Sequence, residues 1–234
     1  MKTTKILSTQ ALLVDREMEL EKIIENLCYN KVDGIEFEVT MTRDLYPIIS
    51  LNSKIKHNFI SNVKLSDISD QLNKNVFLLE DVLSKIEPLD YINLLIKEGS
   101  NNPELERIVL NSIENYRTEE LTVYITSFNK HIIKKLNEIS SEINTALGFT
   151  AGLYRPWLHA EKLEAEAIYP FFASVAGSLV SKCQENNINI NVYGANEIST
   201  LNRMLNLEVD IIHTSNPLKA VNIRDENVEK KQNY

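Results

Sequence analysis

Two carboxylates stand two residues apart in the stretch Val32-Asp33-Gly34-Ile35-Glu36-Phe37-Glu38-Val39. Side chains alternate across a strand, so Glu36 and Glu38 share one face while Ile35, Phe37 and Val39 share the other. Two like charges that close are costly unless they face water or share a cation. The pair is therefore either the wet face of an edge strand or part of a divalent-cation site. Lys97 ends the apolar run Tyr91-Ile92-Asn93-Leu94-Leu95-Ile96, and a lysine at the end of a buried strand needs a partner. It could neutralise Glu36 or Glu38 in place of a metal, bind an anionic ligand, or stay exposed.

The four histidines are His57, His131, His159 and His213, and no H-x-x-E-H cluster ties them together. His213 falls near the C-terminal end of the last strand, where barrels carry their active sites, so it is read as a ligand contact or as a packed core histidine. His57 lies in a polar loop, and His131 at a helix start reads as a surface residue. His159 follows the only tryptophan, Trp157, in an irregular segment. There, Tyr154-Arg155-Pro156-Trp157 suits a lid over a ligand, a protein interface, or a loop folded back with its aromatics buried.

The elements that must position these residues alternate along the chain. Lys5-Ile6-Leu7 is a short candidate strand, and Asp15 opens a helix with Met18, Leu20, Ile23, Ile24 and Leu27 at helical spacing. The acidic strand follows, then the extended segment Pro47–Leu51. Residues 52–75 are polar, with weak periodicity, and read as an excursion. Helices are expected over Leu78–Ile86, Leu105–Ile113, Ile132–Ile139, Ser174–Asn186 and Glu197–Leu205. Strands are expected over Tyr91–Lys97, Leu121–Thr126, Ala146–Phe149, Ala167–Tyr169, Ile188–Tyr193 and Val209–His213. Residues 151–164 read as irregular, residues 221–234 as a charged tail, and the chain from Asp225 as frayed.

This alternation with short connections predicts a parallel sheet covered by helices. About eight strands in roughly 215 residues make a compact TIM (β/α)8 barrel the leading fold, with residues 1–220 as one domain. A doubly wound open sheet is the alternative, weakened by the lack of a glycine-rich phosphate loop.

Lys+Arg 25 against Asp+Glu 33 gives a net charge of −8, which argues against nucleic acid or anionic membranes as partners. Cys28 and Cys183 form no disulfide or C-x-x-C pattern, and no run of about 20 apolar residues marks a membrane span. A cytoplasmic location is the expectation.

Taken in order, several pieces resemble the glycerophosphodiester phosphodiesterase family, a phosphatidylinositol-phosphodiesterase-like TIM barrel. The most specific is Asp33-Gly34-Ile35-Glu36-Phe37-Glu38-Val39, where the family has D-G-I-E-L-D-V. Leu79-Glu80-Asp81-Val82-Leu83 is similar to L-E-E-V-L, and Ile92–Lys97 to the N-I-E-I-K strand. Thr126-Ser127-Phe128 resembles S-S-F, and Asn191-Val192-Tyr193-Gly194-Ala195-Asn196 resembles H-V-W-T-V-N. Asp210-Ile211-Ile212-His213-Thr214 resembles the closing D-G-I-I-T-D. The likeness runs from about Ile6 to Pro217.

The resemblance puts the family's Mg2+ or Ca2+ ion at Glu36 and Glu38, the latter replacing an aspartate and displacing the ion by about an ångström, while for this chain no bound cofactor is the expectation. It puts Leu95 at the third ligand position. It places Thr9 and Gln10 where the family has the His-Arg of its H-R-G motif, and Leu51 and Asn52 where it has its His-Asp pair. General acid–base catalysis is typically worth ~10²–10⁴ per group, so losing both histidines and a ligand would remove ~10⁴ or more. The implied function is a divergent, catalytically inactive member, a pseudoenzyme acting as a binding or regulatory protein. The alternatives are a metal-dependent phosphodiesterase using substitute residues, and a structural or oligomerising subunit with a vestigial site. An anionic or phosphorylated small molecule would meet Lys97, His213, Tyr193 and Trp157, and a protein partner or a second copy of the chain is the other class of partner.

Overall fold

The computed structural model describes residues 3–9, 20–50, 54–55, 58–71, 76–96, 104–116 and 118–232. The strands are β1 (Lys5–Ser8), β2 (Gly34–Met41), β3 (Pro47–Ser50), β4 (Lys54–Ile55), β5 (Asn58–Phe59), β6 (Val76–Leu78), β7 (Tyr91–Ile96), β8 (Thr122–Ser127), β9 (Asn144–Phe149), β10 (Ala167–Pro170), β11 (Asn189–Tyr193) and β12 (Ile211–Thr214). The helices are α1 (Leu20–Tyr29), α2 (Leu79–Leu83), α3 (Leu105–Tyr116), α4 (Lys130–Ile139), α5 (Pro156–Leu163), α6 (Gly177–Glu185), α7 (Ile198–Asn206) and α8 (Pro217–Gln232).

Strands β1, β2, β7, β8, β9, β10, β11 and β12 pair in that order, all parallel, and β12 returns to β1. The sheet is closed, which makes the expected TIM barrel the observed fold and rules out the open sheet. Both faces of such a sheet are covered, so its strands are apolar almost throughout. Outward residues such as Ile35, Phe37, Ile92, Leu94, Ile125 and Ile168 form the main core against the helices. Helix α1 presents Leu20, Ile23, Ile24 and Leu27 to that layer. Inward residues Leu7, Tyr124, Ala146, Ala167, Tyr169 and Ile211 fill the barrel itself.

The long strand β2 outruns the barrel. Its end pairs antiparallel with β3 (Val39 with Ile49, Met41 with Pro47), and β3 pairs with β6. The extended segment at Pro47 is therefore an outlying strand rather than a barrel stave. The excursion that follows carries its own small core of Ile48, Ile60, Ile68 and Val76.

Three expectations are corrected. The segment 151–164 is irregular only as far as Arg155, because Pro156 opens α5 with its φ already helical and no amide hydrogen to satisfy. The helix expected from Leu78 to Ile86 is short, Leu79–Leu83, because Leu78 belongs to β6. The chain from Asp225 is not frayed through the described residues: α8 runs on to Gln232, anchored by buried Ala220 and Val221. Its charged surface hides one anchoring residue per few turns from a periodicity reading. That residue is Arg224, which pairs with Asp33 beside β1 at the start of β2. Among the described residues no helix is long and apolar enough to cross a membrane.

Candidate functional site

The acidic strand owes its place to a missing side chain. A Cβ on Gly34 would lie 2.1 Å from the Tyr91 carbonyl oxygen, so only glycine lets β2 approach β7 at this point. With β2 seated, the register sets Glu36 opposite Asn93 and Glu38 opposite Leu95. The next strand sets Thr126 opposite Leu95. Glu36 is thus no edge residue. It sits inside a closed barrel, 8% exposed, and the wet-face reading of this residue is overturned. Glu38, two residues towards the C-terminal mouth, is exposed.

A buried carboxylate must be compensated. Asn93 Nδ2 donates to Glu36 Oε2 at 2.7 Å, and the Tyr169 hydroxyl donates to the same oxygen at 2.8 Å. His213 Nδ1 lies 2.7 Å from that oxygen, close but off the line of an ideal hydrogen bond. Thr126 Oγ1 donates to Asn93 Oδ1 at 2.7 Å, which fixes the amide with its N–H towards Glu36. Burial alone would push the Glu36 carboxyl up. Attraction to His213 and the donors from Tyr169 and Asn93 outweigh it, so the group is held below its ordinary value and stays ionised. Burial, then the adjacent Glu36 charge, raises the Tyr169 phenol well above its usual value, so it remains a donor.

Aromatic rings wall this network. Tyr169 and Tyr193 stack with centroids 4.7 Å apart, and Phe128 meets both edge-on at 6.1 and 5.8 Å. His213 packs edge-to-face on Tyr169 at 4.9 Å. Gly148 makes room for Phe128, since a Cβ there would come within 2.9 Å of its ring. Asn191, on the inner face of β11, is 1% exposed, and neither its amide nitrogen nor its oxygen has a hydrogen-bond partner.

The residues singled out by sequence fare unequally. Glu36, Tyr193 and His213 come together in the barrel, with Glu38 above them. Leu95, 5% exposed, stands beside Glu38 as an apolar neighbour. Thr9 follows β1, half-buried, with its N–H donating to the Thr214 carbonyl at 3.1 Å. Trp157 does not join the interior cluster. It lies on α5, half-buried against the core between helices and sheet. His131 is exposed at the start of α4, whose N-cap is Asn129. Gln10, Leu51, Asn52, His57 and Lys97 lie outside the described residues.

Asn93, Thr126 and Tyr169 were not anticipated as site residues. Their signal was a polar or hydroxyl-bearing side chain at the inward phase of an otherwise apolar strand.

A divalent cation of the Mg2+ or Ca2+ type takes six or more oxygen ligands. Among the described residues no three His, Cys, Asp or Glu side chains converge on a point that could hold a metal.

Comparisons with known proteins agree with this architecture. Residues 28–219 match the Glycerophosphoryl diester phosphodiesterase family. The glycerophosphodiester phosphodiesterase of Caldanaerobacter subterraneus subsp. tengcongensis is 24% identical over 208 residues, covering 82% of this chain and 85% of that protein. The Bacillus altitudinis glycerophosphodiester phosphodiesterase is 24% identical over 222 residues, covering 86% and 90%. The phosphodiesterase of Oleispira antarctica, solved in complex with the product sn-glycerol-3-phosphate, shares the fold with a TM-score of 0.83 at 14% identity, covering 95% of this chain and 97% of that one. With a matching family pattern across most of its length and the closed barrel that the pattern implies, the chain belongs to the glycerophosphoryl diester phosphodiesterase family.

Proposed function

We propose that this chain is a non-hydrolysing member of its family, a binding or regulatory protein whose barrel mouth receives a small phosphorylated ligand of the glycerol phosphate type. The observation that carries this reading is the state of Glu36. Its carboxylate is engaged by Asn93, Tyr169 and His213, while the adjacent strand offers Leu95 beside Glu38. On this reading the Glu36 carboxylate is held within the protein's own hydrogen-bond network and does not act on a bound diester. The product complex of the Oleispira antarctica relative supports the ligand class. Thr9, Leu51 and Asn52, at the positions of the family's histidines by resemblance, carry no group that titrates near neutral pH.

A second reading has its own support: both curated relatives are named as glycerophosphodiester phosphodiesterases and match more than four-fifths of this chain. On that reading substitute residues perform the hydrolysis.

One assay separates the two. Purified protein is incubated with glycerophosphocholine and glycerophosphoethanolamine in Mg2+, Ca2+ or Mn2+, and release of sn-glycerol 3-phosphate is measured. The expected result is no release above the blank, together with a rise in melting temperature on adding sn-glycerol 3-phosphate itself. Turnover that disappears in Glu38→Gln would establish the hydrolase.

A further inference from the structure

We propose that the inner face of β11 is an internal hydration site, where the buried amide of Asn191 binds an ordered water and the polar ends of Tyr193 and His213 supply its further hydrogen bonds. The site goes beyond the function proposed above and does not rest on it.

Asn191 sits at mid-strand, between the Ala167–Asn189 pairing below it and the Phe171–Tyr193 bridge above, with Ile211 beside it on β12. The eight barrel strands around it are all described, and among the described residues neither its amide nitrogen nor its oxygen has a hydrogen-bond partner. A buried amide left unpaired bears the full cost of its desolvation, and a water bound to it restores the lost hydrogen bonds. Internal water makes about three hydrogen bonds, so it needs more polar groups than one amide. Tyr193 shares the inner face two residues on, and His213 stands opposite Tyr193 on β12. The Tyr193 hydroxyl and His213 Nε2 are closed to solvent and also lack a partner among the described residues. Asn189, below on the same face, directs its amide N–H to the Tyr124 hydroxyl at 3.2 Å instead. Room for water comes from small inward side chains. Barrel interiors are filled mostly by bulky branched residues, but fully buried Ala146 and Ala167 face inward on the two strands before β11. An apolar void stays dry, whereas one edged by an amide, a hydroxyl and an imidazole nitrogen takes up water.

The test reads the wild-type chain directly. In nitrogen-15-resolved ROESY spectra, the side-chain amide protons of Asn191 are expected to show a direct cross-relaxation peak with water, opposite in sign to chemical exchange. The matching NOESY peak should carry the sign of a water held long enough to tumble with the protein. Oxygen-17 relaxation dispersion should count about one long-lived water fewer in Asn191→Leu than in the wild type. The water peak should persist when sn-glycerol 3-phosphate is added. No water peak at the Asn191 amide, or an unchanged count of long-lived waters in Asn191→Leu, would overturn the site. Replacement of the water peak by contacts to sn-glycerol 3-phosphate would also overturn it, by making Asn191 a ligand contact. Should Asn191→Leu fail to fold, the wild-type spectra still decide, with the resonance assigned by Asn191→Asp, which has nearly the same shape. Diester turnover in the assay above overturns the function and leaves this site in place.

Discussion

Glu36 is a buried, ionised carboxylate inside the barrel. Its folded carboxyl lies below its ordinary value of 4.5, so the unfolded chain takes up this proton first as the medium is acidified. Stability from the group is fully present above about 4.5 and is lost as pH falls through the depressed folded value. Thermal melts across the acid range should show this as a steep acid limb. Glu36→Gln should flatten that limb while lowering stability at neutral pH by ~3 kcal/mol, because the variant leaves His213 and buried donors without their anion. An unchanged limb would assign the acid sensitivity to other carboxylates. The alternation of the acidic strand was enough to pair Glu36 with Glu38 on one face. It could not show that one would be buried and the other exposed, since that depends on how far each lies from the barrel mouth.

At the scale of elements, the decisive contact is between β2 and β7. Gly34 lies against the Tyr91 backbone, and backbone cannot yield as a side-chain end can. Gly34→Ala should therefore separate the two strands and cost about 3 kcal/mol or more, read as a lowered urea midpoint with the helical circular-dichroism signal retained at zero denaturant. Equal midpoints for the variant and the wild type would mean that β2 shifts without penalty. Most elements were legible from periodicity: α3, α4 and α7 fall within a few residues of their expected spans, as do β7, β8 and β11. The misread segments share a cause. In α5 the helix is announced by a proline start and a left-handed Arg155 before it rather than by an apolar stripe, and in α8 the buried face is narrow and the charged face broad.

Across the whole molecule, closure depends on Asp33 at the barrel bottom. Its carboxylate accepts from the Ile6 amide at 2.8 Å and from Lys5 Nζ at 3.1 Å, and it also receives Arg224 of α8. One residue thus ties β1, the start of β2 and the last helix together. Arg224→Ala is expected to lower global stability by ~3 kcal/mol, with Arg224→Lys intermediate because it keeps the charge and loses the planar fork. Calorimetry should show both as a single shifted transition. A separate early transition for α8 would mean that the helix is not part of the cooperative unit.

Local pattern determined the alternating elements, the eight-stranded plan and the shared face of Glu36 and Glu38, because periodicity and turn chemistry act over a few residues. The partners of Glu36 were beyond its reach. Asn93 is 57 residues away along the chain and Tyr169 is 133, and nothing in either neighbourhood names the other. Strand order and register brought them to one oxygen. Only closure of the barrel decided that the buried acid meets Asn93, Tyr169 and His213, because a closed sheet turns residues distant in sequence towards one shared interior.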